Sequence, residues 1–170
     1  MALLLLDTGL RVSELVGLRV SDTHLEVECI KLLDKGSKER IVPLGQSSRR
    51  VLATYIRRHR PEPALPGIDQ VFLARAGYPM KPDYVYKILA RACREVGISG
   101  KRLGPHTCRH TSARSFLING GDVLTLQRIL GHSSLEVVKL YANLDMNDLL
   151  AQQRKYSPMD TLKSRHATVG

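Results

Sequence analysis

From Pro82 onward the chain carries the stop and start signals of short helices, and this punctuation constrains its fold more than any other feature. Pro82 sits where a first helical turn tolerates proline and opens a helix through Val96. After the loop "GISGKRLGP", a second helix holds His106 and runs to about Asn119, where "NGGD" breaks it. Asp122 is the N-cap of "VLTLQRIL", and Gly131 ends that helix as the residue just past its last turn. Ser133, with Glu136 three residues on, forms an S-x-x-E capping box for a helix over Leu135 to Tyr141. A last helix spans Met146 to Lys155.

The front of the chain adds the one β element. Ala2 to Asp7 is apolar and helical, Gly9 interrupts it, and "RVSELVGL" follows as a helix with Val12, Leu15 and Val16 at core spacing. "LEVECIKLL" and "RIVPL" flank "DKGSKE", where Gly36 suits a turn, so Leu25 to Leu44 reads as a β-hairpin. Gln46 to Arg60 forms an amphipathic helix that buries Val51, Leu52, Tyr55 and Ile56, and the Pro-rich loop "RPEPALPG" follows. The expectation is one domain: mainly α with a small antiparallel β-hairpin or sheet, an α+β fold. "ALLLL" is too short to span a bilayer, and the first helix starts with no N-cap ahead of it, as in a piece of a longer protein.

Charge narrows the partner. The 170 residues carry 26 basic and 16 acidic side chains, a formal net charge of +10, which favours a polyanion such as nucleic acid. Aromatics make up 5% and Trp is absent, a poor supply for stacking on single strands, so contacts to a duplex backbone fit better. Cys29, Cys93 and Cys108 form no C-x-x-C pair and read as free thiols of a reducing compartment.

The stretch "PHTCRHTSARSFL" places His106, Arg109 and His110 on one side of a helix, followed by Ala113, Phe116 and Leu117. His106 and His110 have the i, i+4 spacing of zinc-binding helices. Thr107, however, occupies the place of the glutamate base, no third ligand is positioned, and Arg109 between them repels a cation. No metal is expected. Three other segments hold candidates: "TGLRVSELVGL", with Arg11 and a Glu14 able to orient its guanidinium; "DKGSKERIVPL", with Lys35 at a hairpin tip; and "ILGHSSLEVVKLYANL", with His132 between two helices and Tyr141 near the end of the second. Taken singly these are a surface ion pair, a solvated turn residue, a helix linker and a half-buried ring.

As an ordered set, R…K…H-x-x-R-H…G-H…Y resembles the catalytic domain of the tyrosine recombinases, the phage integrase family, in its Xer-like and mobile-element branches. The likeness runs from about residue 2 to 156. It implies that Arg11, Lys35, His106, Arg109 and His132 are catalytic, that Tyr141 is the nucleophile, and that Glu14 supports Arg11; His110 is either support or packing. Residues 1–156 would be the catalytic domain and 157–170 a C-terminal tail, with the family's N-terminal DNA-clamping domain absent. The implied activity is site-specific cleavage and rejoining of double-stranded DNA through a covalent 3′-phosphotyrosine, without metal, ATP or other cofactor. Partners would be DNA and further protomers in a synaptic tetramer, with a monomer expected off DNA, no membrane, and a place in the bacterial cytoplasm on the nucleoid. Two other functions fit less well: a type IB topoisomerase, disfavoured by the compact G-H to Tyr spacing, and an inactive DNA-binding fragment, disfavoured by the complete set. "RKYSPMD" after the tyrosine segment leans toward mobile-element members, and the segment from Met146 is expected to dock in cis or onto a neighbouring protomer.

The residue types suit that chemistry. Two forked guanidinium groups can bind the non-bridging oxygens of a phosphodiester and strengthen as charge develops at phosphorus. Tyrosine, with a reference pKa of about 10, needs nearby positive charge and a proton acceptor, which His106 can supply. His132 suits donation to a phosphate oxygen, and Lys35 can protonate the leaving 5′ oxygen.

Overall fold

The protein's structure, a computed structural model, describes residues 1–33, 39–100, 104–131 and 146–156. The Gly36 turn, the helix over Leu135 to Tyr141 with its Ser133–Glu136 cap, and the tail from 157 lie outside the described residues.

Among the described residues there are seven α-helices and a three-stranded antiparallel sheet of order β1-β2-β3. Helix α1 (Ala2–Thr8) buries Leu4 and Leu5 and ends on Gly9, whose φ of 63° is left-handed. A Cβ at Gly9 would lie 2.6 Å from Leu130 Cδ2 and 3.3 Å from Ser112 Oγ, so glycine is needed both for the turn and for the approach of two later helices. Helix α2 (Val12–Gly17) buries Leu15 and leaves Val12 and Val16 half-buried. Strand β1 (Thr23–His24) pairs with β2 (Cys29–Leu33), and β2 with β3 (Glu39–Pro43).

This corrects the expected hairpin at its start. Leu25–Val27 is a 3-10 turn, and Glu28 at φ 58° redirects the chain into β2, so β1 lies before the turn and adds a third strand. Helix α3 (Gln46–Thr54) runs into a widened turn over Tyr55–His59, closed by a bond from Arg60 N to Tyr55 O at 2.8 Å. Its inward stripe is Ser48 and Leu52, continued by half-buried Tyr55 and Ile56. Val51, expected inside, is 52% exposed because it falls one helical step off that stripe. The segment after the Pro-rich loop is held to the front of the domain by Val71 N to Leu18 O at 2.7 Å and Val20 N to Asp69 O at 2.8 Å, and Val71 and Phe72 lie in the core.

Helix α4 (Pro82–Glu95) opens on its proline and buries Val85 and Leu89. These side chains join Leu4, Leu5, Leu15, Ile30 and Val42 in the larger core cluster. Helices α5 (Pro105–Ile118) and α6 (Val123–Leu130) make a smaller cluster of Ala113, Leu117, Leu126 and Leu130. As expected, Asp122 caps α6 by accepting from the backbone N–H groups of Leu124 and Thr125, both at 2.9 Å, and Gly131 ends it at φ 64°. Helix α7 (Met146–Tyr156) lies against α5 of its own chain, through an Arg114–Asp148 ion pair and a Lys155 Nζ bond to Asn119 O at 3.0 Å. No helix among the described residues is long and apolar enough to cross a membrane.

Candidate active site

Arg109 sits at the seam between the two core clusters. Its guanidinium donates from Nη1 to the carbonyl of Gly9 and from Nη2 to the carbonyl of Leu130 at 2.8 Å, and the residue is only 9% exposed. Both acceptors are chain-end carbonyls that a helix cannot satisfy internally: Gly9 caps α1, and Leu130 is the last residue of α6. One side chain of α5 thereby ties together the turn two residues before Arg11 and the turn two residues before His132.

The expectation that His106, Arg109 and His110 share one face is corrected. Arg109 lies on the buried stripe with Pro105, Ser112, Ala113 and Leu117, whereas His106 and His110 are exposed. Residues three and four apart on a helix still differ by tens of degrees, enough for the edge of the core to pass between them. His106 stands in the first turn of α5, where no side chain caps the helix end. His110 is exposed. Phe116 is half-buried, its ring seated over Gly121, where a Cβ would come within 2.1 Å of it.

Arg11 is the residue just ahead of α2. Its backbone N–H donates to Glu14 Oε2 at 2.8 Å, which satisfies one end-of-helix donor. Its Nη1 donates to Glu14 Oε1 at 3.0 Å. Glu14 therefore meets the Arg11 guanidinium, as expected, and also its backbone N–H. The same carboxylate accepts from a third group: Arg40 Nη2 reaches Glu14 Oε2 at 3.1 Å. The Arg40 side chain is 7% exposed, that of Glu14 12% and that of Arg11 37%, so the triad runs from the interior outward to Arg11. Glu14 also lines an open groove of about 400 Å³ between α2 and β2 that reaches Lys31 and Leu33 at the hairpin end of the strand.

Arg40 escaped the reading of the sequence. In "ERIVP" the strand phase puts Arg40 and Val42 inward, and Glu39, Ile41 and Pro43 outward, with Arg40 opposite Leu32 and Ile41 opposite Lys31. The available signal was a register one: the phase that buries Val42 must also bury Arg40.

Lys35, His132 and Tyr141 lie outside the described residues. Among the described residues no cluster of three or more His, Cys, Asp or Glu side chains is placed to hold a metal ion. The three cysteines are free thiols, and burial, with Cys93 nearby, pushes the Cys108 thiol above its ordinary pKa.

The profile of the phage integrase family matches residues 1–148. The chain belongs to the phage integrase family. Within it, this integrase-family chain is 37% identical over 157 residues to the tyrosine recombinase XerD of Listeria monocytogenes, a match covering 91% of the chain and 52% of XerD. The chain thus spans about half the length of the curated relatives it matches. Among solved structures it is similar to the XerA recombinase, with a TM-score of 0.77 and 29% identity over 91% of this chain and 56% of that one. It is also similar to the XerH site-specific recombinase bound to its difH substrate in a pre-cleavage complex, with a TM-score of 0.71 and 26% identity over 88% of this chain and 43% of XerH. The mainly helical fold with its small antiparallel sheet is that of tyrosine recombinase catalytic domains.

Proposed function

We propose that this chain is the catalytic part of a site-specific DNA recombinase, cleaving and rejoining double-stranded DNA through a covalent 3′-phosphotyrosine on Tyr141. Residues 1–156 make up the catalytic domain and 157–170 a tail. The observation that carries the reading is the seat of Arg109, whose two backbone anchors lead directly into the Arg11 and His132 segments. The same bonds satisfy two helix-end carbonyls, so they also hold the two segments at a fixed distance from one guanidinium, which is what a shared site requires.

In this reading Arg11 and Arg109 bind the non-bridging oxygens of the scissile phosphate, with His132 donating a further bond. The Tyr141 hydroxyl loses its proton to His106 and attacks phosphorus. A P–O bond to tyrosine forms as the P–O5′ bond breaks, and Lys35 protonates the departing 5′ oxygen. One phosphodiester replaces another, so rejoining by the reverse step needs neither ATP nor metal. His110 and Glu14 support the arginines and His106. Recombination requires further protomers in a synaptic tetramer, the chain being a monomer off DNA, and it takes place on the bacterial nucleoid.

The test is a nicked suicide duplex, from which the cut fragment is lost and the adduct accumulates. Wild type is expected to yield an SDS-resistant protein–DNA complex, and Tyr141→Phe none, with non-covalent binding kept. An adduct formed by the Phe variant removes Tyr141 as nucleophile.

A further inference from the structure

We infer that Arg40 is a positioning residue for Arg11, acting through Glu14, and that it couples strand β3 to the arginine helix. The inference rests on the recombinase reading above and goes beyond it, because Arg40 does not belong to the motif set and is placed to act on Arg11 through Glu14.

Three observations carry it. First, Arg40 is an arginine on the core-facing phase of a strand, with its side chain 7% exposed, so holding its charge there requires a close partner. Second, that partner is the carboxylate that holds Arg11: Arg40 Nη2 and the Arg11 backbone N–H both meet Glu14 Oε2, at 3.1 and 2.8 Å, while Arg11 Nη1 takes Oε1 at 3.0 Å. Both oxygens of Glu14 are therefore engaged and its plane is set from the inside. The Arg11 backbone N–H holds one oxygen of Glu14 from the helix, and Arg40 holds the same oxygen from the strand, so the carboxylate that meets the Arg11 guanidinium is fixed from two elements. Third, Arg40 sits one residue into β3, which pairs with β2 through Leu33 and Glu39, so the Arg40–Glu14 bond joins this end of the sheet to the helix that Arg11 precedes. A displacement of β3 is therefore transmitted through Glu14 to Arg11.

The experiment uses the full chain with the nicked suicide duplex, below the unfolding midpoint of every variant. It measures the rate of covalent adduct formation at saturating DNA, the apparent affinity for that DNA, and the unfolding midpoint. Arg40→Gln is expected to slow adduct formation about 100-fold, and Arg40→Lys, whose ammonium still meets one Glu14 oxygen but does not fix its plane, about tenfold. DNA affinity should be unchanged in both, because Arg40 is turned toward Glu14 with its side chain 7% exposed and acts on Arg11 through that carboxylate. Should Arg40→Gln fail to fold, the Lys variant decides alone. A wild-type rate in either folded variant overturns the inference, as does a loss seen in affinity rather than rate. A wild-type chain that forms no adduct removes the recombinase reading and this inference with it; an active wild type with an unimpaired Arg40 variant removes only the inference.

Discussion

Replacing Arg109 with lysine keeps the charge and removes the fork. In the native structure the guanidinium spans from the Gly9 carbonyl to the Leu130 carbonyl, the latter at 2.8 Å, and at 9% exposure solvent offers little replacement. A single ammonium can satisfy one of these acceptors. The other is left with a buried, end-of-helix oxygen deprived of a charge-assisted bond, a loss of about 1.5–3 kcal/mol. For a domain of this size that corresponds to a fall of about 3–12 °C in Tm. Cleavage should suffer more than stability, because one ammonium cannot offer paired bonds to two phosphate oxygens. Loss of one such donor typically costs about 100-fold or more in rate. Differential scanning calorimetry reads the first effect; adduct formation on the suicide duplex, run well below the variant's midpoint, reads the second. An unchanged Tm would refute the structural argument for the two carbonyl anchors. Cleavage near the wild-type rate would reduce Arg109 to an electrostatic bystander.

Further outcomes follow from the same geometry. Gly9→Ala places a Cβ 2.6 Å from Leu130 Cδ2 in a left-handed turn, so a destabilisation of about 2–4 kcal/mol is expected; an unchanged denaturation midpoint would contradict it. With a net charge of +10, DNA binding should weaken steeply with salt, each phosphate contact contributing about −0.9 to the slope of log K against log salt, and binding indifferent to salt would speak against backbone contacts. The Thr125 hydroxyl and then the Thr125 amide hold the Asp122 carboxyl below its ordinary pKa. Its capping contribution is therefore present above the unfolded carboxylate range of about 4 and is lost as pH falls through the lower folded value. Asp122→Asn, which still accepts a cap bond, should lack that acid-side step in a pH series of melts.

Much of the architecture was legible because its signals are local. The proline at the start of α4, the Asp122 cap and the left-handed glycines after α1 and α6 each act within one or two turns, and the structure places each where the chain's punctuation put it. Glu14 beside Arg11 is likewise an i, i+3 pair, decided by helical spacing alone. What the tertiary structure decided was phase and reach. Helical spacing placed Arg109 beside His106 and His110, but only packing of α5 between α1 and α6 set which of the three the core would enclose. The β1 strand depends on a partner across the Glu28 turn, and no periodicity over two residues can announce it. Arg40 shows the limit most plainly. Strand alternation permits two registers, and an arginine on the inward phase is excluded by hydropathy unless an acid from another segment meets it; Glu14, 26 positions earlier, does so at 3.1 Å, and contacts across such separations exist only once the chain has folded.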